Sequence, residues 1–294
     1  MERKRLFSLV AALIALVLAV SPASGVQFGD PDGDDHRYVG LVIFYDDSTN
    51  KLPLWRCTGA LVSSTVLLTA GHCTGLDPDT NTTPQFAQAW FEPGPIPLAE
   101  GWTSGTACSS GSFDGYPCTG GYVGVPHPHP EWNGYLTVPN THDVGVVEFR
   151  TPIYLSKYGT LAGADYLDRM ATKRGKQNVQ FTVVGYGLQS VKPVESSVRE
   201  RMAGTVSLVD LRSALNDGYN IQLSSAPGKG VGPGGTCFGD SGGPVLHRNA
   251  AGAEVVVAVN SFVLNENCRG AGFGYRVDTK DAREFLDEYL TLPE

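Results

Sequence analysis

The stretch Gly235–Pro244, "GTCFGDSGGP", places a single serine, Ser241, among four glycines and directly after Asp240. Glycine loses more backbone freedom on folding than any other residue, so a cluster of glycines in a packed chain needs a local reason. A serine hydroxyl that another backbone must approach closely would supply that reason. The stretch therefore indicates Ser241 as a candidate nucleophile and raises the question of which residues activate it.

The order of polar residues along the chain separates two interpretations of Gly239–Gly243. The pattern G-x-S-x-G occurs in the nucleophile elbow of α/β-hydrolases, where an acid and then a histidine follow the serine. After Ser241 the chain has only His247, which is too near for that role, and the strand–helix alternation of that fold is missing. The opposite order is available upstream, because His72 ends "LLTAGH" and Asp143 begins "DVGVVEF".

Short β-rich runs, separated by Gly, Pro, Asn and Asp, recur along the chain. Such punctuation predicts an all-β barrel or sandwich. Apolar residues at helical spacing predict one helix at about 279–290, capped by Asp278 or Thr279. Residues 92–140 are rich in Gly and Pro, and we expect surface loops there. The β-rich runs lie at 38–45, 65–70, 143–149, 179–187, 205–211, 220–224 and 254–263.

Three motifs together, "CTGALVSSTVLLTAGHC" (57–73), "DVGVV" (143–147) and "GDSGGP" (239–244), resemble the chymotrypsin/trypsin family of serine proteases. The resemblance covers about residues 38–290. It implies an all-β fold of two antiparallel six-stranded β-barrels with a C-terminal α-helix, and an active site in the cleft between the barrels. We therefore expect a signal peptide (1–25) and a peptidase domain (26–294) with an N-terminal barrel (about 26–150), a C-terminal barrel (about 151–278) and a helix (about 279–290).

The resemblance implies a role for each candidate catalytic residue of a secreted serine endopeptidase. Ser241 would be the nucleophile, and His72 would accept its proton and later protonate the leaving amine. Asp143 would hold the other ring nitrogen of His72. The backbone N–H groups of Gly239 and Ser241 would form the oxyanion hole, and a side chain at position 239 would impede the substrate carbonyl.

Asp240 has a different implied role. In the family this aspartate pairs with the amine that activation cleavage frees, and the pair shapes the oxyanion hole. The usual "IVGG"-type start is absent here. Signal-peptidase cleavage after Gly25 would make Val26 the mature N-terminus and the partner of Asp240, whereas cleavage after Ala23 is the alternative.

The resemblance also indicates a primary specificity pocket. Its floor would be Gly235, where trypsin-type enzymes place an aspartate, followed by Thr236. Because neither position is acidic and the branched Val263 narrows the pocket, we expect small or medium apolar substrate side chains rather than Arg or Lys. Glu266 leaves open the alternative of a positively charged substrate side chain. The wall would come from Ser261, Phe262, Val263 and about Gly272.

Residues 1–25 have the pattern of a secretory signal. Arg3–Arg5 are basic, Leu6–Val20 are mostly apolar, and small residues follow. The apolar run is shorter than the roughly 20 residues that span a bilayer. Secretion into an oxidising compartment would let the six cysteines pair, in connectivities that the residues alone leave open. The resemblance implies Cys57–Cys73 and Cys237–Cys268, whereas Cys108–Cys118 rests on proximity in the sequence.

The net charge of −8 and the absence of a persistent basic cluster argue against a nucleic-acid partner. His127 and His129 could bind a metal from one face of a strand, but the surrounding prolines favour an extended loop. The acidic run 29–35 lacks the EF-hand spacing and is expected to be a solvated turn. We expect a secreted monomer that acts on a protein or peptide substrate, with no cofactor, no metal, no nucleic acid and no membrane after signal cleavage.

Two other functions are compatible with the same motifs. A catalytically silent family member could act as a binding protein, and an esterase with a narrow substrate range could use the same three side chains. The presence of His72, Asp143, Ser241 and Gly239 favours an active enzyme. The extended backbone-binding strand that the resemblance implies around 261–263 favours peptide substrates.

Overall fold

A computed structural model describes residues 26–27, 29–170, 179–191, 193, 195–225 and 234–293. The predicted signal peptide 1–25 lies outside the described residues. No helix among the described residues is long and apolar enough to cross a membrane.

Six strands close the first barrel in the order β2-β3-β4-β7-β6-β5. These strands are β2 (Val39–Tyr45), β3 (Pro53–Leu61), β4 (Val66–Thr69), β5 (Phe86–Trp90), β6 (Tyr122–Pro128) and β7 (Gly145–Phe149). Every residue of β2 is buried. Val42 and Phe44 belong to the main core, whereas Leu41, Ile43 and Tyr45 pack against residues of the insert between β5 and β6. Burial on both faces explains why this strand is a continuous apolar run.

The second barrel is a sheet in the order β1-β9-β10-β13-β12-β11-β8, closed by pairing of β8 with β9. Its strands are β8 (Gln180–Gly185), β9 (Met202–Asp210), β10 (Asn220–Ser225), β11 (Pro244–Arg248), β12 (Glu254–Val263) and β13 (Gly270–Arg276), and the short β1 (Asp30–Pro31) joins at β9. All of these pairings are antiparallel. The predicted all-β class with two antiparallel six-stranded barrels is confirmed.

The expectation of loops throughout 92–140 is wrong at β6, which lies between β5 and β7 and completes the first barrel. Both histidines of "PHPHP" had been assigned to a loop, yet His127 is a strand residue. The prolines are tolerated because β5 pairs with β6 only as far as Gly124. Pro126 and Pro128 pair with β7 on one side, and no strand of the described ranges pairs with them on the other, which is where sheets accept proline.

Two helices flank the barrels. The short α1 (Gly71–Thr74) follows β4, and α2 (Lys280–Leu286) lies near the C-terminus. Thr279 caps α2, since its side-chain oxygen accepts the N–H of Ala282 at 3.3 Å. The helix ends at Leu286, before the expected 290, because the following N–H groups shift to closer acceptors: Glu288 donates to Phe285, three residues back.

Three disulfides use all six cysteines. Cys57–Cys73 joins β3 to α1, Cys108–Cys118 lies in the insert, and Cys237–Cys268 joins the serine stretch to the turn after β12. Cross-links that close loops of this size typically stabilise a fold by about 3 kcal/mol each. Such bonds persist in oxidising compartments, which is consistent with a secreted protein.

The acidic run 29–35 is not the fully solvated turn that we expected. Asp32 is buried, and its Oδ2 accepts a hydrogen bond from Arg201 Nε at 2.8 Å. Arg201 is fully buried as well, and its remaining N–H groups donate to the carbonyl oxygens of Gly33 and Val39. His36 lies between Asp32 and Glu254. This ion pair fixes the N-terminal segment to the second barrel.

Replacing Asp32 with Ala should therefore destabilise the fold strongly, because Arg201 would remain as a buried charge without a counterion. Breaking such a pair typically costs about 3–5 kcal/mol. The free energy of unfolding in urea measures the effect, and Asp34→Ala is the matched control, since Asp34 pairs with Arg37 at the exposed surface. Equal stabilities of the two variants would contradict the structural role of the buried pair.

Candidate active site

The chain folds so that His72 and Asp143 meet at the end of the first barrel. His72 lies in α1, directly after β4, and Asp143 directly precedes β7, which pairs with β4. The backbone N–H of His72 donates to Asp143 Oδ1 at 2.7 Å. The ring atom Nδ1 lies 3.0 Å from Oδ1 and 2.9 Å from Oδ2 of the same carboxylate. The ring is therefore fixed by the strand pairing of the barrel.

Asp143 is fully buried and has a third partner that the sequence did not indicate. The hydroxyl of Ser261 donates to Asp143 Oδ2. The family resemblance places Ser261 in the wall of the specificity pocket. It does line the cleft, but its hydroxyl positions the carboxylate and so connects β12 of the second barrel to the first.

The two ionisable groups shift each other's pKa values. Burial lowers the pKa of His72, but the charge and hydrogen bond of Asp143 outweigh it, so the pKa lies above the usual value. Burial opposes ionisation of Asp143, but His72 and the hydrogen bond from Ser261 hold the pKa of that carboxyl below its usual range. Asp143 is therefore ionised at neutral pH and stabilises a protonated His72.

Ser241 lies in the same cleft as His72. Among the described residues, however, the Ser241 hydroxyl has no hydrogen bond, and so none to the His72 ring. The glycines around it have a steric reason. Gly242 has φ of +78°, and a Cβ there would lie 2.0 Å from Thr69 Oγ1. Gly239 has φ of +96°, which side chains disfavour.

Two backbone N–H groups beside the serine have no internal acceptor. Within the part of the chain that the structure describes, the N–H groups of Gly239 and Ser241 donate to no oxygen, whereas Asp240 donates to Cys237 and Gly242 to Asn260. The carbonyl of Gly239 is turned toward β3, where it accepts the Thr58 hydroxyl at 2.8 Å. Unused donors of this kind can bind an anionic oxygen.

Asp240 is fully buried without a cation at ion-pair distance among the described residues. Its oxygens accept N–H bonds from Gly187 at 2.8 Å and from Cys237 at 2.9 Å. Burial raises the pKa of Asp240 to about 7, against the lowering effect of these bonds and of the nearby Arg56 charge. Asp240 is thus a buried carboxyl group that has no cation partner among the described residues.

The predicted partner Val26 does not have an amine in this chain, because its nitrogen is in a peptide bond. Val26 is buried against Gly204. A Cβ added to Gly204 would lie only 2.9 Å from Val26 Cγ1. The carbonyl of Gln27 accepts the N–H of Gly235 at 3.0 Å. The N-terminal segment thus lies beside the serine stretch, and pairing of Val26 with Asp240 stays a prediction.

The cleft encloses about 640 Å³ and is mainly apolar. Four of the predicted pocket residues line it, whereas Gly235 and Gly272 do not. The hydroxyl groups of Thr236 and Ser225 fill the space beside Gly272. A Cβ added to Gly272 would lie 2.9 Å from Thr236 Oγ1 and 3.1 Å from Ser225 Oγ. Glu266 is exposed and outside the lining. The lining residues include Trp55, Arg56, His72, Trp132, Thr236, Phe238, Ser241, Ser261, Phe262 and Val263.

Sequence reasoning missed Ser225, which lies at the end of β10 and has no motif around it. Phe262 also has an unexpected contact, since its ring stacks on that of Phe273 with centroids 4.4 Å apart. Val263 pairs with Gly272 across β12 and β13, which fixes the register that the sequence left open.

Among the described residues, two groups of side chains have metal-ligand chemistry. Cys57, His72 and Cys73 lie close together, but both sulfurs are in the disulfide and are not free ligands. His129, His142 and Asp281 offer ligand atoms within 4.8 Å of one another. These are already hydrogen-bonded, with His142 Nδ1 at 3.0 Å from Asp281, so the group is satisfied without an ion.

A protein-family model described as Trypsin matches residues 120–284, more than half of the chain. The chain belongs to the trypsin family. This membership confirms the resemblance seen in the motifs and supports a serine-protease type of function, a hydrolase class and protein substrates. The family also includes inactive members. Asp143 and Ser241 lie inside the matched range, whereas His72 lies before it.

A curated relative gives the same classification. This trypsin-family chain is 28% identical over 224 residues to the Phenoloxidase-activating enzyme of Bombyx mori. The aligned part covers 69% of the chain and 47% of the relative. The chain therefore spans about half the length of the curated relative it matches.

In the uncleaved chain, the buried Asp240 carboxyl should make the free energy of unfolding depend on pH. The folded carboxyl is protonated up to about pH 7, whereas an unfolded one ionises near 3.8, so the unfolded state binds fewer protons in this window. The free energy of unfolding of the wild type should fall relative to Asp240→Asn as pH rises from about 4 to about 7, by up to about 4 kcal/mol.

Urea unfolding of the uncleaved chain at a series of pH values measures this difference. Asp287→Asn is the control, because Asp287 is exposed at the end of α2. Parallel pH dependence of the wild type and Asp240→Asn would contradict a buried, unpaired carboxyl at this position.

Proposed function

We propose that the protein is a secreted serine endopeptidase that hydrolyses peptide bonds through an acyl-enzyme, with His72, Asp143 and Ser241 as its catalytic residues. Membership of the trypsin family supports the general class. The observation that carries the finer proposal is the pair of unused N–H groups at Gly239 and Ser241, in the cleft that also contains the hydrogen-bonded His72–Asp143 pair. No cofactor is required.

In the first half of the reaction, the Ser241 hydroxyl attacks the carbonyl carbon of the scissile bond. His72 takes the hydroxyl proton on Nε2, and the raised pKa that Asp143 gives it makes the ring a stronger base. The carbonyl oxygen becomes an oxyanion, which the N–H groups of Gly239 and Ser241 stabilise. Loss of one such donor typically slows the reaction about 10²–10³-fold.

In the second half, the proton on His72 Nε2 passes to the leaving amine, and the carbon–nitrogen bond breaks. The acyl group stays on Ser241 Oγ. A water molecule then loses a proton to His72 and attacks the ester carbonyl, and His72 returns the proton to Oγ. Asp143 stays ionised throughout and keeps Nδ1 protonated, so that Nε2 remains available.

The pocket supports a preference for small or medium apolar residues before the scissile bond, and not for Arg or Lys. The polar groups beside Gly272 are the hydroxyls of Thr236 and Ser225, which lack the charge that a guanidinium or ammonium would need. Val263 further narrows the entrance, since its Cγ1 lies 4.0 Å from the Cβ position of Gly272.

Removal of the signal peptide during secretion would also supply the cation that completes the active site. Removal of residues 1–25 would leave a peptidase domain of residues 26–294, acting as a monomer on protein or peptide substrates. The new amine of Val26 would supply the cation that Asp240 lacks. Because Asp240 lies between the two oxyanion donors in the chain, this pair would fix the loop and bring the Ser241 hydroxyl toward His72. The amine pKa would rise above its usual 7.7–8.0 or so, and the stabilisation would be lost as pH rises through that value.

One observation favours a catalytically silent member as a second candidate. The Ser241 hydroxyl has no hydrogen bond to His72 in the described residues, although such contacts often form only with substrate. An esterase with a narrow range uses the same residues, and cleavage of simple esters without any peptide cleavage would favour it.

The direct test is the intact mass of the secreted protein before and after reaction with a fluorophosphonate. We expect one adduct on the wild type and none on Ser241→Ala, because only an activated serine reacts. The unlabelled mass should correspond to a chain that begins at Val26. A folded protein that begins at Val26 and forms no adduct would contradict the proposed activity.

The pH dependence of kcat/KM tests the His72–Asp143 pair. Only neutral His72 can act as the base, so activity should rise with pH through a value above the usual 6.5. Asp143→Asn should move this midpoint to lower pH and reduce activity by about four orders of magnitude. Asp35→Asn, at an exposed position, is the control. An unchanged midpoint in Asp143→Asn would contradict the assigned pairing.

A further inference from the structure

Arg56 is a cation in the cleft that the proposed mechanism does not use. It lies on β3, is half-buried, and lines the cleft together with His72 and Ser241. It is close to the loop that contains Gly239 and Ser241, since a Cβ added to Gly239 would lie 3.1 Å from Arg56 Nε. Its neighbour Cys57 is fixed by the disulfide, so the backbone that carries the guanidinium is held in place.

The guanidinium of Arg56 has no carboxylate partner. Within the part of the chain that the structure describes, no Asp or Glu oxygen lies within 4.0 Å of it, although the chain has 30 acidic residues and 22 basic ones. The neighbouring charge is of the same sign. Arg56 interacts through a side-chain hydrogen bond with Tyr116, which leaves its other N–H donors, and Arg199 is 5.7 Å from the centroid of the same ring. Arg56 therefore places a positive charge beside the serine loop, and Asp77 and Asp79, which also line the cleft, form no ion pair with it.

Asp240 does not neutralise this charge. Arg56 acts on Asp240 electrostatically, but both Asp240 oxygens already accept backbone N–H groups, and the carboxylate is fully buried behind the loop. Arg56 instead borders the cleft that a substrate would enter. A guanidinium with open donors recognises carboxylates in a bidentate geometry.

The backbone of the serine loop identifies the half of the substrate that Arg56 would meet. The C=O of Ser241 accepts the N–H of Thr58 on β3 at 2.8 Å, and the N–H of Gly242 donates to Asn260 on β12 at 2.7 Å. These two groups belong to one peptide unit and point in opposite directions across its plane. Strands β3 and β12 therefore lie on opposite sides of the nucleophile.

In the proposed function, the residues before the scissile bond lie along 261–263 of β12. The residues after it then lie on the β3 side, where Arg56 is. We propose that Arg56 binds a carboxylate in the leaving-group half of the substrate, within the first two residues after the scissile bond. This inference rests on the proposed function and defines the substrate class: peptides with an acidic residue, or a free C-terminus, directly after the cleavage site.

The test uses the mature, secreted enzyme and a peptide selected from a mixed library because the enzyme cleaves it. Matched versions of that peptide carry Asp or Asn at the first or second position after the scissile bond. A second pair ends two residues after the bond, with a free carboxylate or an amide. The two pairs distinguish a side-chain carboxylate from a terminal one. The measured quantity is kcat/KM for each peptide at low and high salt.

We expect the carboxylate version of at least one pair to be cleaved about tenfold faster, with a smaller difference at high salt. Arg56→Gln should abolish the difference and Arg56→Lys should retain part of it. Arg56→Glu should reverse it toward peptides with Lys at the same position. Arg37→Gln is the matched control, because Arg37 is exposed and outside the cleft lining.

Three results would overturn the inference. Equal cleavage of both members of every pair would mean that Arg56 does not recognise a carboxylate. If Arg56→Gln lowered kcat/KM equally for both members of a pair, Arg56 would act through the loop of Gly239 and Asp240 and not on the substrate carboxylate. Absence of cleavage of any peptide would refute the endopeptidase proposal itself, and this inference with it.

Discussion

The buried carboxylate of Asp143 is the group on which the arrangement of the site depends. It belongs to the first barrel, yet it accepts a hydrogen bond from Ser261 of the second barrel as well as bonds from the backbone and ring of His72. A carboxylate removed from water is costly unless its oxygens are hydrogen-bonded. The hydrogen bond from Ser261 therefore stabilises ionised Asp143 when the barrels are docked, and Asp143 in turn orients His72.

The serine loop is held against the first barrel in a comparable way. Thr58 of β3 donates its hydroxyl to the carbonyl of Gly239 and its N–H to the carbonyl of Ser241. Both carbonyls point toward β3, and among the described residues the N–H groups of Gly239 and Ser241 have no acceptor. The close approach to Thr69 leaves no space for a side chain at Gly242. Gly242 of "GTCFGDSGGP" thus follows from the contact between the barrels.

Much of the fold and the centre of the site could be predicted from the sequence, because the relevant signals are local. The apolar runs predicted seven of the barrel strands, namely β2, β4, β7, β8, β9, β10 and β12. The motifs around His72 and Asp143 indicated two side chains that the structure brings within hydrogen-bond distance. Other features depend on residues that are far apart in the chain. Ser261 is 118 positions from Asp143, and Arg201 is 169 positions from Asp32, so no local pattern indicates either contact.

The remaining errors have a similar origin. Strand β6 was missed because its prolines are compatible with a sheet only where one neighbour is absent, which depends on where β5 ends. The sequence also contained no sign of Ser225, a residue of a different strand whose side chain occupies the space beside Gly235 and Gly272. Arg56 has no motif, and its importance follows only from the absence of an acidic neighbour among the described residues.

The central claim is that docking of the two barrels builds one oxyanion site next to an activated serine. A crystal structure of the mature protein after reaction with a peptidyl phosphonate tests it most directly. The account predicts a bond from phosphorus to Ser241 Oγ, a phosphoryl oxygen within about 3 Å of the Gly239 and Ser241 nitrogens, and an intact His72–Asp143 pair. Phosphorus bound to Ser241 with its oxygen turned away from both nitrogens would contradict it.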